Sequence, residues 1–392
     1  MKFTALKEEL LTKLSKISTV ASTNTTNPVT ANVLLSADNE HADRLLITCT
    51  DCEVQLSTFV YGVNVIEDGR TTVNAKTLLE LLKKAPTSAS ELKFTLSESS
   101  EKMTVSCGKF RSSMVTISAE LFPEVVSVNQ TFEYRVNSLE LLSLIKSTKF
   151  CVASDSYRLF LKGLRFETEG DKLTVIGADG HRLAINSCTI PTVDYPATIS
   201  DRGFIMPKKA TEQIYTLLNN AKKTLETNDE VVISVSSNTI STHVSDVDLL
   251  SVKIDVAYPN VATIMFTDPT DRYTVDRKLF AETVSRVSVM SNNLNKAVEL
   301  CFNNDVCEVK AANSKHEDCV DTIETGVYSG RKNFSIALNS EYLLNVCNII
   351  ETDKITLMFK NTSNNCMIVP TVSSDDEQQV EHQKYLISRI IL

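Results

Sequence analysis

The sequence contains no apolar run long enough to span a membrane, and its N-terminus lacks the continuous apolar core of a secretory signal. Charged residues such as Lys7, Glu8 and Lys13 interrupt the apolar positions of that first stretch. Ten cysteines in a chain without such a signal are expected to be reduced thiols and not a disulfide framework. These absences predict a soluble, cytoplasmic protein that has no membrane partner.

The sequence also lacks the motifs of most catalytic, metal and nucleotide sites. Its five histidines are scattered singly, and neither a P-loop nor a GxGxxG motif occurs. Cys49 and Cys52 have the spacing of a zinc knuckle, but they fall on a predicted strand, where positions i and i+3 face opposite ways, and no second pair exists. Ser143 to Lys146 matches an SxxK motif without its companion motifs. We therefore predict no enzyme, no metal site and no cofactor.

Basic residues are in the minority, which argues against a protein that simply coats nucleic acid. The chain has 40 Lys and Arg against 49 Asp and Glu, a formal net charge of −9 at pH 7. The six predicted helices nevertheless carry a positive balance, so the rest of the chain is more acidic than the whole. If equivalent helices share one side of each domain, that side is basic enough for phosphate contacts. The alternative is that exposed helix surfaces simply favour lysine.

An internal repeat organises the chain. A strand leading into an amphipathic helix occurs three times, beginning near Phe3, Glu133 and Arg272. A second helix recurs as VNAKTLLELL, MPKKATEQIYTLL and LNSEYLLNVCNII, at residues 73–82, 206–218 and 338–350. Stretches that end at Asp51, Asp179 and Asn313 correspond as central hairpins. Because the chain is too long for one core, we predict three copies of one α+β domain, at residues 1–128, 129–259 and 260–392.

The most informative stretch is GLRFETEGDKLTVIGADGHRLA, at Gly163 to Ala184. Alternating apolar residues predict a hairpin that turns at Glu169 to Asp171, and the second strand ends at Asp179 and Gly180. A glycine tolerates positive φ, so the chain can turn sharply there and leave a shallow notch beside His181. Catalysis by Asp179 and His181 would need a nucleophile, and none is recognisable nearby, so we expect a binding or structural role.

Three motifs resemble the β subunit of bacterial DNA polymerase III, the sliding clamp: MKFT at the N-terminus, FETEG followed by ADGHRLA at Phe166 to Ala184, and MPKKA at Met206. The resemblance spans the whole chain. It implies three clamp domains, each with two helices inside and antiparallel sheets outside, that close head to tail as a homodimeric ring around duplex DNA. Such a ring is a processivity factor in DNA replication, which tethers the polymerase catalytic subunit without catalysis of its own. The alternative is a clamp-like three-repeat scaffold that binds partners without encircling DNA.

The resemblance also implies a pocket for a short peptide, usually a glutamine followed by leucine and phenylalanine, carried by the polymerase, the clamp loader and repair or replication proteins. The positions that match its walls are Leu161, Ala178, Gly180, His181, Arg182, Leu183, Pro259, Thr263, Ile264, Leu386, Ser388, Arg389 and Ile390. Family members commonly carry a methionine–proline pair over this pocket, where this chain has Ser388 and Arg389. A small hydroxyl and a charge in place of an apolar gate predict a shallower pocket, or one suited to a peptide with an acidic residue.

Two further sets of residues follow from the resemblance. The DNA-contacting positions would be Lys149, Arg158, Phe160, Lys208 and Lys209. The dimer interface would comprise Lys109, Arg111, Met114, Val289, Met290, Glu317 and Asp318, with its two basic residues facing its two acidic ones. The loop from Ser22 to Asn27, which contacts DNA in the family, has no arginine in this chain. DNA contacts without sequence specificity are expected, because sliding needs attraction to phosphates without base recognition.

Overall fold

The computed structural model describes residues 1–22, 27–86, 90–99, 101–126, 131–196, 202–226, 228–303, 306–372 and 382–391. These residues form six α-helices and 26 β-strands. Neighbouring strands of their sheets run antiparallel. The predicted α+β class is therefore confirmed. A search of the described helices finds none with the length and apolar composition needed to cross a membrane.

Four of the helices begin after an Asn or Asp that caps them, and one of these caps is Asn137, whose Oδ1 accepts the backbone N–H of Leu139 at 3.0 Å. The six helices are α1 (Lys7–Ile17), α2 (Ala75–Lys84), α3 (Ser138–Thr148), α4 (Lys208–Ala221), α5 (Arg277–Ser288) and α6 (Ser340–Ile349). The Oδ1 atoms of Asn74, Asp276 and Asn339 accept hydrogen bonds from the backbone N–H three residues later, at 2.9, 2.8 and 3.2 Å. Such a cap stabilises a helix by about 1 kcal/mol. Pro207 precedes α4 and ends a strand, so this helix starts at Lys208 and not at Met206 as predicted.

The strands include the predicted hairpin and the predicted strands that lead into α1, α3 and α5. In chain order they are β1 (Lys2–Leu6), β2 (Asn32–Ala37), β3 (Arg44–Thr50), β4 (Val54–Tyr61), β5 (Val63–Glu67), β6 (Gly69–Asn74), β7 (Glu91–Leu96), β8 (Lys102–Cys107), β9 (Phe110–Ile117), β10 (Phe132–Asn137), β11 (Gly163–Glu169), β12 (Lys172–Ala178), β13 (Arg182–Thr189), β14 (Gly203–Pro207), β15 (Glu230–Val235), β16 (Thr239–Val244), β17 (Val247–Val252), β18 (Asp271–Asp276), β19 (Ala297–Asn303), β20 (Val306–Ala312), β21 (Asp318–Ile323), β22 (Val327–Ser329), β23 (Phe334–Asn339), β24 (Lys354–Phe359), β25 (Asn365–Thr371) and β26 (Gln383–Ser388). That hairpin is formed by β11 and β12, and β1, β10 and β18 are the strands that lead into the three helices. Among the short strands, β5 buries only Val63 and Val65.

The turns that follow β3, β12 and β20 share one hydrogen-bond pattern. In each turn a side-chain oxygen accepts two backbone N–H groups of the residues that follow, at 2.8 to 3.1 Å, and the accepting residues are Asp51, Asp179 and Asn313. Asp and Asn favour such turns because their side chains replace a backbone acceptor. The turns recur at the three positions predicted to be equivalent, which supports the internal repeat.

The chain divides into two compact units, and the first comprises Met1–Leu139, Val193–Thr198 and Glu212–Lys253. The first unit holds one thirteen-stranded sheet, in the order β10-β15-β16-β17-β4-β3-β2-β6-β9-β8-β7-β1-β5. Its strands come from two sequence repeats, which meet where β17 pairs with β4 and Leu249 lies opposite Leu56. Both leucines are buried. This sheet therefore continues from one repeat into the next.

The second unit comprises Glu140–Thr192, Ile199–Thr211 and Ile254–Leu392. It has a nine-stranded sheet in the order β14-β11-β12-β13-β26-β25-β24-β18-β22 and a four-stranded sheet in the order β21-β20-β19-β23. Phe280 of α5 and Leu343 of α6 lie in one buried cluster with Phe302 of β19 and Phe359 of β24. Burial stabilises the fold by about 1.5–3 kcal/mol for each such side chain. The two helices thus share a core with both sheets.

Asp271 is a buried carboxylate at the start of β18. It accepts hydrogen bonds from the hydroxyls of Thr270 at 2.7 Å and Tyr328 at 2.9 Å, and Nη2 of Arg331 lies 2.8 Å from its Oδ2. Burial alone would raise the pKa of Asp271, but the hydrogen bonds from Arg331 and the two hydroxyls outweigh it and lower that pKa to about 2. The carboxylate therefore stabilises the fold while it is ionised.

We expect Asp271→Asn to lower the free energy of unfolding by about 2 kcal/mol at pH 7, because Arg331 loses its charged partner. The folded-state pKa lies below the unfolded value of about 4, so this stabilisation is complete above that value and is lost as the pH falls toward the folded pKa. Urea unfolding of the wild type and the variant at pH 7 and pH 3 measures the difference. The exposed Asp268→Asn serves as control. A wild-type advantage that is equal at both pH values would contradict the assignment.

Candidate functional site

A cavity of about 290 Å³ in the second unit collects most of the predicted pocket residues. Leu161, Ala178, Gly180, His181, Arg182, Leu183, Pro259, Thr263, Ile264, Leu386 and Ser388 all line it. The other two predicted residues, Arg389 and Ile390, line a different cavity. These lining residues come from the end of β12, from β13, from β26 and from two short 3-10 segments at Leu159–Lys162 and Val261–Thr263. The structure therefore brings together residues that lie more than 200 positions apart in the sequence.

The floor of this cavity, hereafter the pocket, is apolar. Leu161, Ala178, Leu183 and Leu386 belong to one buried cluster, together with Ala153, Ile176, Phe266, Met367 and Val369. Pairing of β13 with β26 sets Leu183 directly opposite Leu386. Directly opposed side chains of an antiparallel pair lie close enough to pack against each other. The strand pair thus makes a continuous apolar surface that a partner side chain can cover.

The turn from Asp179 to Arg182 forms one wall of the pocket. Oδ1 of Asp179 accepts the backbone N–H groups of His181 at 2.9 Å and Arg182 at 3.0 Å, and Gly180 has a φ of +96°, which favours glycine. The Arg182 guanidinium donates to Oδ2 of Asp179 at 2.8 Å and to the carbonyl of Phe150 at 2.8 Å, and it lies 4.4 Å from the ring centre of Tyr342. Both carboxylate oxygens of Asp179 accept hydrogen bonds within this turn or from the Arg182 side chain, so the role of Asp179 is structural.

Several pocket residues were not predicted to lie there. Tyr258, Asn260, Val261 and Asn365 line the pocket, and so do Arg158 and Phe160, which had been predicted to contact DNA. The Tyr258 ring packs edge-on against Phe160 at 5.8 Å, and burial raises its hydroxyl pKa. Among the described residues this hydroxyl has no hydrogen-bond partner. The sequence could have indicated Tyr258 as a pocket residue, because it is an aromatic residue directly before Pro259, which was predicted to line the pocket.

The remaining predicted DNA contacts lie outside the pocket lining. Lys149 begins a 3-10 turn after α3, while Lys208 and Lys209 begin α4. Nζ of Lys208 donates to the Ser154 hydroxyl at 2.9 Å. Of the loop from Ser22 to Asn27, residues 23–26 lie outside the described residues. In the part of the chain that the structure describes, no group of His, Cys, Asp and Glu could hold a metal ion.

Two sheet edges carry the predicted dimer residues. From Phe110 to Val115, β9 pairs with β8 alone, and β21 pairs with β20 alone, as far as the described residues extend. Exposed Lys109 and Arg111 lie at the first edge, and exposed Glu317 and Asp318 lie at the second. Exposed valines accompany them, Val115 on β9 and Val320 on β21, and Val289 is exposed at the end of α5 while Met290 is half-buried. Met114 is buried within the chain, because alternate strand residues face opposite sides.

Comparison with known proteins identifies the fold. Three domain models of the DNA polymerase III beta subunit match the chain: the N-terminal domain at residues 1–126, the central domain at 135–260 and the C-terminal domain at 262–383. The beta sliding clamp of Haemophilus influenzae is 27% identical over 369 residues, which cover 94% of this chain and 95% of the relative. The beta sliding clamp of Escherichia coli K12 is 26% identical over 373 residues, covering 95% and 97% of the two chains.

A crystal structure of a sliding clamp from Pseudomonas aeruginosa, bound to griselimycin, covers 100% of both chains with a TM-score of 0.86 and 26% identity. The repeated α+β domains and this likeness define a three-domain clamp. The chain belongs to the DNA polymerase III beta subunit family. Both the predicted family and the predicted clamp fold are thus confirmed, and the names of the relatives favour a sliding clamp over a non-encircling scaffold.

We expect Asp179→Ala to lower the free energy of unfolding by about 1–3 kcal/mol, because two backbone N–H groups and the Arg182 guanidinium lose their acceptor. Asp171→Ala is the matched control, since Asp171 lies in the turn at the other end of β12 and its side chain is exposed. Urea unfolding followed by circular dichroism measures both variants. Equal stability of the two variants would contradict a structural role for Asp179.

Proposed function

We propose that the protein is a homodimeric ring that encircles duplex DNA and tethers the replicative polymerase and other partners, without a catalytic step of its own, in the cytoplasm. The repeat of one clamp domain three times in the chain carries this proposal, because two such chains supply six similar domains to a closed ring. We assign these domains to residues 1–128, 129–259 and 260–392. The helices of each domain would then face the DNA.

Ion pairs on the helices fit weak, mobile contacts with phosphates. Within the first unit, Nζ of Lys16 on α1 lies 2.6 Å from Asp246, which also pairs with Lys13. Burial would raise the pKa of Asp246, but the hydrogen bonds from both lysines outweigh it and lower that pKa. Lys146 on α3 pairs with Glu351 at 2.6 Å in the second unit. Phosphates would have to compete with these carboxylates at Lys13, Lys16 and Lys146, so contacts of DNA with these three lysines would be weak, as sliding requires.

The proposed ring requires a head-to-tail joint between the open edge of β9 in one protomer and the open edge of β21 in its partner. An unpaired strand edge presents backbone donors and acceptors, and mutual pairing satisfies both edges. The basic pair Lys109 and Arg111 would face the acidic pair Glu317 and Asp318, with Val289, Met290 and Val115 adding apolar contact. Opposite charges at the two edges favour this orientation over pairing of like edges.

We expect light scattering to give twice the mass of one 43.4 kDa chain at micromolar concentration. Reversing the charge of Lys109 and Arg111 to Glu should shift the protein toward single chains, because four acidic residues then meet at each joint. Adding Glu317→Lys and Asp318→Lys to the same chain should restore the dimer. Wild-type protein that keeps the mass of one chain at low salt would overturn the proposed joint.

We expect the protein, once placed on nicked circular DNA by a clamp loader, to remain bound there and to leave the same DNA after it is linearised. Encirclement is topological, so retention depends on closed DNA and only weakly on salt. Gel filtration of labelled protein with each form of DNA measures retention. Equal loss from both forms, with a steep rise in loss with salt, would instead favour simple electrostatic binding or a scaffold that does not encircle DNA.

We propose further that the pocket holds the short partner peptide. Its apolar floor, made by Leu183 and Leu386, suits leucine and phenylalanine side chains, which each gain about 1.5–3 kcal/mol on burial. After the cost of association, two or three such side chains support micromolar binding. Ser388 lines this pocket where family members carry methionine, so less apolar surface is available to the peptide.

We expect calorimetry to detect binding of a peptide with glutamine, leucine and phenylalanine, and Leu183→Asp to abolish it. Because Leu183 is buried, Ile264→Asp is the second variant: Ile264 lines the pocket but is 46% exposed, so the fold tolerates the change. Exposed Leu121→Asp is the control. Ser388→Met should strengthen binding, because a methionine adds apolar surface to the pocket. Unchanged binding by the Leu183 and Ile264 variants would show that the peptide binds elsewhere.

A further inference from the structure

A second cavity, of about 340 Å³, lies beside the pocket. The two cavities share Asn365, and the tail of the chain passes from Ser388 in the first to Arg389 in the second. Most of the second cavity's surface is polar or charged, in contrast to the pocket, and we refer to it as the polar cavity. It is lined by Glu299, Arg331, Phe334, Ser335, Ile336, Ala337, Phe359, Lys360, Asn361, Ser363, Asn365, Arg389, Ile390 and Ile391.

Backbone hydrogen bonds fix the tail at the boundary between the cavities. The N–H of Ser388 donates to the His181 carbonyl at 2.9 Å, and the N–H of Arg389 donates to the Asn364 carbonyl at 2.8 Å. The N–H of Ile390 donates to the Ala337 carbonyl at 2.8 Å. Consecutive residues of an extended chain face opposite sides. The anchored backbone therefore holds Ser388 toward the pocket and Arg389 toward the polar cavity.

The charges of the polar cavity are not balanced. Arg331 is neutralised by buried Asp271 and stacks on Phe334, with its guanidinium 4.2 Å from the ring centre. Lys360 and Arg389 make no side-chain hydrogen bond or ion pair with any residue that the structure describes. The one acidic residue of the lining is Glu299, and Lys310, which lies opposite it across the β19–β20 pair, forms its ion pair with Glu308 at 2.7 Å. Lys360 and Arg389 therefore stand against the single carboxylate of Glu299, so the lining keeps an excess of positive charge for an anionic group.

We propose that the polar cavity is a subsite for an acidic side chain of the partner peptide, placed beside the apolar side chains that occupy the pocket. This inference rests on the proposed peptide-binding function of the pocket. An extended peptide advances ~3.3 Å per residue, so a flank of a few residues reaches across the shared Asn365. Lys360 and Arg389 supply the charge, and the amides of Asn361 and Asn365 supply further donors for a carboxylate. The peptide class is thus two apolar anchors with one or two flanking Asp or Glu residues.

Three peptides with the same glutamine, leucine and phenylalanine core test the proposal with the full-length protein. One has serine flanks, one has two aspartates before the core, and one has two aspartates after it. We expect one acidic peptide to bind about three to ten times more tightly than the serine peptide at low salt, and to lose this advantage as salt rises. The flank that gains affinity defines the direction of the bound peptide.

A double variant, Lys360→Gln with Arg389→Gln, separates the polar cavity from the pocket. It should remove the advantage of the acidic peptide and leave the affinity of the serine peptide unchanged. Lys332→Gln is the matched control, because Lys332 is exposed and does not line the cavity. Equal affinities of the three peptides for the wild type, or an advantage that survives in the double variant, would overturn the subsite alone. Absence of binding by all three peptides would overturn the pocket assignment as well.

Discussion

The pairing of β13 with β26 is the interaction on which the candidate site depends. It sets Leu183 opposite Leu386 and makes one nine-stranded sheet from strands of two sequence repeats. Backbone hydrogen bonds fix its register, and a slip of one residue would turn the apolar side chains to the other face of the sheet. The pocket floor and the course of the chain tail both follow from this register. In the first unit the pairing of β4 with β17 joins two repeats in the same way.

The basic side chains of the second unit that are discussed above fall into two groups, those that pair with a carboxylate and those that line a cavity without such a partner. Arg182 and Arg331 each bind a carboxylate and stack on aromatic rings, so their charges hold loops against the sheet. Removing a partner from such a pair leaves a charge without compensation in a partly buried place, which is costly. Lys360 and Arg389 stand at a cavity surface without such partners, where water solvates them until an anion arrives. Arg182 and Arg331 therefore shape the site. Lys360 and Arg389 give it a preference for a peptide with an acidic residue.

The sequence predicted most of the fold because the chemistry of the repeat is local. Residues close together in the sequence determine the alternation of the strands and the turns at Asp51 and Asp179. They also determine helix caps such as Asn74 and Asn339. The rest required contacts between distant segments. Arg158 and Phe160 line the pocket because Phe160 packs against Tyr258, about 100 residues later. Ser388 and Arg389 were predicted together, but an extended backbone sends them to different cavities, and the direction of each side chain depends on the partners of the tail.

The order of synthesis gives the β13–β26 pair a further consequence. About 200 residues separate Leu183 from Leu386, so β13 is made long before its partner strand. At a synthesis rate of about 5–20 residues per second, β13 remains a sheet edge for roughly 10–40 s. An open edge invites pairing with other chains, and polar residues limit that risk. Asn186 and Ser187 supply such polarity on β13, so its open edge is less prone to pair with other chains before β26 is made.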